Sequence, residues 1–168
     1  AARRLIVGKR GEGVEDFEAV YREYFPAVYR YLLSLCGEET LAEELAQETF
    51  FRALRRIGGF RGDCSLRVWL CQIAKNLYYS HRRREARRPE PVPEPSAEGP
   101  EPQILRQEAA REAYRAVHRL EEPYKEVFLL RQFAGLPFRE IAELFGKTES
   151  WARVTYHRAR MKCREECL

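Results

Sequence analysis

The sequence predicts an all-α protein: two small helical bundles joined by a Pro/Glu-rich linker, the C-terminal one a helix-turn-helix. Three observations predict it. Apolar residues recur at helical spacing through both halves of the chain. Residues 89–102, PEPVPEPSAEGPEP, hold six of the nine prolines and cannot continue a helix. Ala142, Gly146 and Ala152 have the spacing of a helix-turn-helix, with small residues where two helices cross and a glycine at the tight turn. The 168 residues suffice for two small domains, placed at 14–88 and 104–168, with the linker at 89–103 between them.

In the first half, Phe17, Val20, Tyr21, Tyr24, Val28, Tyr31, Leu32 and Leu35 follow a helical period, which Pro26 kinks or divides and Gly37 ends. Thr40 and Glu43 have the spacing of a capping box for a second helix. That helix runs to about Ile57 with Leu41, Leu45, Thr49, Phe50, Ala53 and Leu54 inward, and Gly58-Gly59 stops it. A third helix, about 66–84, turns Leu66, Trp69, Leu70, Ile73 and Leu77 to the core. The linker carries Glu90, Glu94, Glu98 and Glu101 among its prolines, with Val92 its one large aliphatic residue, and reads as an extended acidic spacer. In the second half a helix is expected from about Gln103 to Leu120. Pro123 and Pro137 open two more, the first closed by Gly135 and the second by Gly146, and Thr148 caps a last helix to about Glu166.

The net charge of +4 conceals two opposed patches. Residues 38–51 hold five acids and no base, whereas residues 82–88 hold five arginines and one acid. Such separation suits one basic partner and one polyanionic partner. No apolar run approaches the ~20 residues that span a bilayer, and the opening AARRLIVGKRGEG is too short for a signal-peptide core, so it reads as a flexible lead-in. Five dispersed cysteines, an odd number, suit reduced thiols in a cytoplasmic protein.

The last helix is basic where a recognition helix should be. Lys147, Thr148, Ser150, Trp151, Arg153, Val154, Thr155, Tyr156, His157, Arg158 and Arg160 occupy the turn and the early helix, where side chains meet base edges and phosphates in a major groove. A solvated charged helix closing a bundle is the plainer alternative, and turn chemistry and charge placement together favour DNA. Trp151 fits either a core anchor or a contact to the DNA backbone. No phosphate loop, His-Glu-x-x-His or paired-cysteine motif is present, so neither an enzyme nor a cofactor or metal is expected. Cys163, Cys167 and His157 share one helix, and two thiols near a chain end are more often inert than metal ligands.

Two stretches carry a family resemblance. LAEELAQETFFRALRRIGGFRGDCSLRVWLCQIAKNLYYSHRRR resembles the second conserved region of extracytoplasmic-function (ECF) sigma factors, of the sigma-70 family of bacterial RNA polymerase. LEEPYKEVFLLRQFAGLPFREIAELFGKTESWARVTYHRARMK resembles their fourth region. The resemblance covers roughly residues 14–88 and 104–164, in the family's order. It implies a transcription initiation factor, not an enzyme, which brings core RNA polymerase to specific promoters and helps to melt them.

It also implies roles for residues. Glu44, Gln47, Glu48, Phe51 and Arg52 match the surface that docks on the coiled-coil clamp of the polymerase. Phe60, Arg61, Gly62, Asp63, Cys64 and Ser65 match the loop that reads the −10 element in single-stranded DNA. Gln72, Lys75, Asn76, Tyr79, His81, Arg82, Arg83 and Arg84 suit the junction of single and double strand, with cations for phosphates and flat rings for stacking. The second domain would place its last helix in the −35 duplex and grip the polymerase flap through exposed apolar residues of the helix 124–134. Trp151 and Thr155 depart from the small hydroxyl and the basic residue common in the family there, so promoter sequence does not transfer. An anti-sigma factor, sometimes membrane-tethered, is the family's usual inhibitor, and the linker threads the polymerase cleft, where its glutamates would either mimic RNA or serve only as a spacer. A stand-alone helix-turn-helix regulator of duplex DNA and a polymerase- or inhibitor-binding module are the alternatives.

Overall fold

A computed structural model describes residues 13–88 and 108–166. These form α1 (Gly13–Cys36), α2 (Glu39–Arg56), a 3-10 turn (Ile57–Gly59), α3 (Leu66–Ala86), α4 (Glu108–Arg119), α5 (Tyr124–Gln132), α6 (Phe138–Phe145) and α7 (Glu149–Glu166). The expected lead-in, the linker glutamates, the start of the helix from Gln103, and Cys167 lie outside the described residues. Among the described residues there is no strand, and no helix is long and apolar enough to cross a membrane.

The first bundle packs α1, α2 and α3 around Val28, Tyr31, Leu32, Ala46, Phe50, Leu70 and Ala74, each at most 2% exposed. Pro26 does not divide α1 but lies within one helix. It sits on the exposed side, so the carbonyl one turn earlier, which has no N–H to meet, faces water. Gly37 ends α1 at φ 70°, where a side chain would strain the backbone. The expected capping box is not formed. Helix α2 starts before Thr40, and its cap is Glu38, in extended backbone, without a side-chain bond. The helix starts two residues earlier than expected because the Glu38 carbonyl accepts from the Ala42 amide at 2.9 Å. Buried Thr49 satisfies its hydroxyl by donating to the Leu45 carbonyl at 2.7 Å. Leu54, expected inward, is 43% exposed, because Phe50 and Ala53 fill the core side of that turn. The Tyr78 hydroxyl donates to the Leu35 carbonyl at 3.0 Å and ties the far end of α3 to α1.

The second bundle gathers α4, α5 and α6 on α7. Ala142, Ala152 and Ala159 are buried, so the expected close crossing of α6 and α7 is made. Leu129, Leu136 and Ile141 complete this core, and the Arg131 guanidinium holds the loop between α5 and α6 by donating to the Leu136 carbonyl at 2.9 Å.

The two bundles are docked on each other. Lys75 of α3 forms an ion pair with Glu126 of α5. Arg67 of α3 donates to the Gly135 carbonyl at 3.2 Å. His118 Nε2 of α4 lies 2.8 Å from the Ser34 carbonyl of α1 and donates to it. The His118 ring stacks on Tyr114, centroids 4.1 Å apart, and burial pushes the Tyr114 hydroxyl up to about 12. A cavity of about 870 Å³ remains in the seam, with Arg30 and Leu33 on one wall and Val117, Phe128 and Phe133 on the other.

Burial holds the His118 pKa below its ordinary 6.5, and the nearby Lys125 adds to this against the opposing Ser34 bond. The charged imidazole is therefore disfavoured in the packed seam, and the neutral ring's contribution is fully present above about pH 6.5. It is lost as pH falls through the lowered value. Urea unfolding should show the wild-type chain losing stability from pH 7.5 to 5.5 more steeply than His118→Gln, which keeps a donor but cannot titrate.

Candidate functional site

Three exposed surfaces collect the sequence-expected residues. The first is one face of α2. Glu44, Gln47, Glu48, Phe51 and Arg52 recur at helical three- and four-residue steps. Glu48 accepts from Arg52 at 2.7 Å, which leaves Glu43 and Glu44 as unneutralised acids on that side. Phe51 is 55% exposed, and the Arg55 guanidinium lies 5.7 Å from its ring centroid. Leu54, one turn on from Phe51, enlarges the apolar spot. Sequence reasoning placed it inward, and only its three-residue step from Phe51 signalled otherwise.

The second surface runs from the loop 60–65 along α3. Phe60 packs on Trp69 at 5.0 Å, so the ring of Phe60 anchors the loop rather than standing free. Arg61, Gly62 and Asp63 are exposed, and Gly62 turns the chain at φ 76° with open space where a side chain would begin. Cys64 is half-buried and its thiol is pushed up by burial, then by Asp63. The Ser65 hydroxyl caps α3 by accepting from the Val68 amide at 3.2 Å, which commits it to structure. Beyond the cap, Gln72, Asn76, Tyr79, Arg82 and Arg83 line one exposed helix face, with Arg84 beside it and half-buried His81 at its margin. Tyr79 stands edge-on to Tyr78 at 5.3 Å with 36% of its surface open. Lys75 belongs to this face but spends its charge on Glu126.

The third surface is α7. Thr148 caps it as expected, its hydroxyl accepting from the Trp151 amide at 3.2 Å. Lys147, Ser150, Val154, His157, Arg158 and Arg160 are exposed, and Arg153 is exposed but paired with Glu149 at 2.7 Å. Trp151 is half-buried against Phe145, centroids 5.2 Å apart, so it acts chiefly as an anchor with one edge free. Two expected contacts are corrected. Thr155 is buried, because it shares the packed face with Ala152 and Ala159 and cannot meet a base. Tyr156 stacks near Phe128 and Phe138 and donates its hydroxyl to Gln132 at 3.0 Å, so its ring braces α7 on α5 and α6.

A further expectation fails. Among the described residues, the exposed large apolar side chains are Tyr21, Phe51, Leu54, Tyr79, Val154 and Met161, and none lies on helix 124–134. Phe128 and Phe133 instead face the seam cavity opposite α1. Two acids missed in the sequence stand on the same seam. Glu126 faces Lys75 from 51 positions away, and Glu140 of α6 has a buried Oε2 without a hydrogen-bond partner. No local pattern signals a pairing across such a distance.

Gly146 sets how α7 leaves α6. Its φ is 61°, and a side chain there would enter open space, so any loss comes from the backbone alone. Gly146→Ala should cost about 1–2 kcal/mol of stability and Gly146→Asn less, read by thermal unfolding.

The chain matches two family models, sigma-70 region 2 over residues 20–88 and sigma-70 region 4 over residues 110–163. An RNA polymerase sigma factor of Bacillus subtilis, YlaC, is 29% identical over 164 residues, 94% of this chain and 93% of that protein. The ECF RNA polymerase sigma-E factor of Haemophilus influenzae is 30% identical over 131 residues, 70% of this chain and 69% of the relative. Two solved structures share the fold. The sigma factor RpoE of Bartonella quintana, in complex with the anti-sigma factor NepR, has a TM-score of 0.66 at 22% identity, over 91% of this chain and 97% of the other. CnrH, in complex with the cytosolic domain of CnrY, has a TM-score of 0.64 at 20% identity, over 90% and 86%.

Proposed function

We propose, for a chain that belongs to the sigma-70 family of RNA polymerase sigma factors, that its two bundles take separate promoter elements. The protein directs RNA polymerase to promoters. Its first bundle, residues 14–88, captures the melted −10 element along the loop 60–65 and the α3 face. Its second, residues 104–168, holds the −35 duplex with α7. The observation that carries this division is the pair of exposed cationic helices on different bundles, with different chemistry. The α3 face mixes amides, a ring and arginines: Gln72, Asn76, Tyr79, Arg82 and Arg83. Stacking rings and flexible cations suit unpaired bases and their phosphates. The α7 face pairs a helix start with Lys147, Ser150, His157 and Arg158 on a helix-turn-helix, which suits a major groove.

The α2 face is the polymerase contact. Phe51 and Leu54 offer apolar area beside Glu44 and Gln47, and acids around an apolar centre complement a basic helical partner. An anti-sigma factor is a further partner in this reading, supported by the likeness to RpoE of Bartonella quintana, solved in complex with the anti-sigma factor NepR. The site of action is the cytoplasm, where polymerase and template are, with tethering at the membrane left to the inhibitor.

Reconstitution with core polymerase on a promoter library, followed by sequencing of transcript starts, tests the reading. Specific initiation that requires this chain is expected. Duplex binding without strand opening would overturn it in favour of a simple regulator. Arg158→Ala should weaken duplex binding evenly across sequences and lower the slope of log affinity against log salt by about 1. Tyr79→Ala should leave duplex binding alone and cost about 1–3 kcal/mol of single-strand binding by the holoenzyme. Phe51→Ala should weaken assembly with core by about 2 kcal/mol with little change in the chain's own stability, since the ring is already exposed.

A further inference from the structure

We infer that the seam cavity is a binding site for a single-chain alkyl carboxylate, with the chain among the apolar walls and the head on Arg30 and Arg160. The site does not depend on how α3 and α7 meet DNA. Its volume is about 870 Å³, within the range of about 300–1,000 Å³ that small-molecule pockets occupy. Leu33 of α1, Val117 of α4 and, along α5 to its cap, Phe128, Leu129 and Phe133 form the apolar walls. Such walls gain by taking an apolar chain out of water.

The polar groups on the same walls decide the head. The acceptors are already engaged inside the protein. The Ser34 carbonyl accepts from His118 Nε2 at 2.8 Å, and Gln132 Oε1 accepts from the Tyr156 hydroxyl at 3.0 Å. The Ser34 hydroxyl donates to the Tyr31 carbonyl at 2.6 Å. Donors are left over. The Tyr114 hydroxyl has no hydrogen-bond partner among the described residues. Burial pushes its pKa up to about 12, so it keeps its proton.

The two guanidiniums are left over as well. Arg30 of α1 and Arg160 of α7 line the cavity, and neither pairs with an acid among the described residues. By contrast, Arg22 of α1 and Arg153 of α7 each bind a glutamate one turn away. The sequence explains the difference. Three and four positions from Arg30 stand Pro26, Ala27, Leu33 and Ser34. At the same steps from Arg160 stand Tyr156, His157, Cys163 and Arg164. No acid on its own helix can therefore reach either cation. Two guanidiniums and a phenol O–H favour a head that only accepts hydrogen bonds. An ionised carboxylate is such a head, and its paired oxygens match the planar guanidinium fork. A cationic amphiphile of the same length meets two like charges there.

Isothermal titration calorimetry of the full chain with decanoate, below its micelle concentration, tests the site. Saturable binding of one decanoate per chain is expected. Butyrate, with the head but little chain, and decylammonium, with the chain but the opposite charge, should not saturate over the same range. Arg30→Gln and Arg160→Gln should each weaken decanoate about fivefold, the factor carried by a partly exposed ion pair. Arg22→Gln, on the same helix as Arg30 but paired with Glu18, should leave the affinity unchanged. Ala113→Trp sets an indole into the cavity from an exposed position of α4. It should abolish decanoate binding while thermal unfolding stays cooperative. A wild-type chain that does not bind decanoate overturns the proposal. Equal binding of decylammonium overturns it too, since any apolar chain would then serve. Undiminished binding by Ala113→Trp places decanoate elsewhere on the protein, and undiminished binding by both arginine variants removes the anion from the site; either result overturns the assignment.

Discussion

The ion pair between Lys75 and Glu126 joins residues 51 positions apart and belongs to both bundles at once. Its two side chains are 36% and 20% exposed, so water screens it only in part. Around it the seam mixes polar and apolar contacts: one guanidinium on a carbonyl, one imidazole on a carbonyl, a large cavity, and buried apolar residues of the two bundles that join in one cluster. Neither bundle depends on it for its own centre, because Tyr31, Leu32 and Leu70 are buried in one and Leu129, Leu136 and Ile141 in the other.

Within each bundle, packing decides which chemistry remains outside. Helix α7 must cross α6 closely, and Ala142 and Ala152 permit it. The same crossing turns Thr155 and Ala159 inward, so the outward positions are left to Ser150, Val154, His157 and Arg158. Tyr156 and Trp151 sit at the border and spend their rings on Phe128, Phe138 and Phe145. A rigid recognition surface follows, since its aromatic members brace the helix instead of reaching outward. On α2 the reverse holds. Ala42, Ala46 and Ala53 let α2 lie close to its neighbours, and the large side chains Phe51 and Leu54 are left for a partner.

The helices were legible because their signals are local. Apolar spacing, Pro137 before α6, Gly146 after it and Thr148 at the start of α7 each act within a few residues. The face of each helix was less legible. Thr155 and Leu54 each lie near the edge of an apolar stripe, where one residue of rotation exchanges inside and outside. Thr40 and Glu43 have the spacing of a cap, but cap formation depends on where the chain leaves Gly37, and it leaves two residues early. The seam was not legible at all. Its ion pair and its orphaned carboxylate join elements separated by the linker, and a sequence carries no mark of which distant charge will face which.

The two ends of the α3 face differ in kind. Exposed Gln72 and Asn76 border the cleft against α5 and α6 with Lys75 between them, whereas Arg82, Arg83 and Arg84 lie beyond it in full solvent. Long-range attraction to a polyanion needs exposed charge, not contact, and falls off over about 8–10 Å at physiological salt. The arginine end supplies that attraction even while the bundles are docked. Discrimination among unpaired bases needs contact with amides and a ring, and Gln72, Asn76 and Tyr79 stand exposed for it, while Lys75 alone of that face is engaged by Glu126. One helix thus carries two separable properties: general attraction to nucleic acid at its arginine end, and base contact along its amide and aromatic positions.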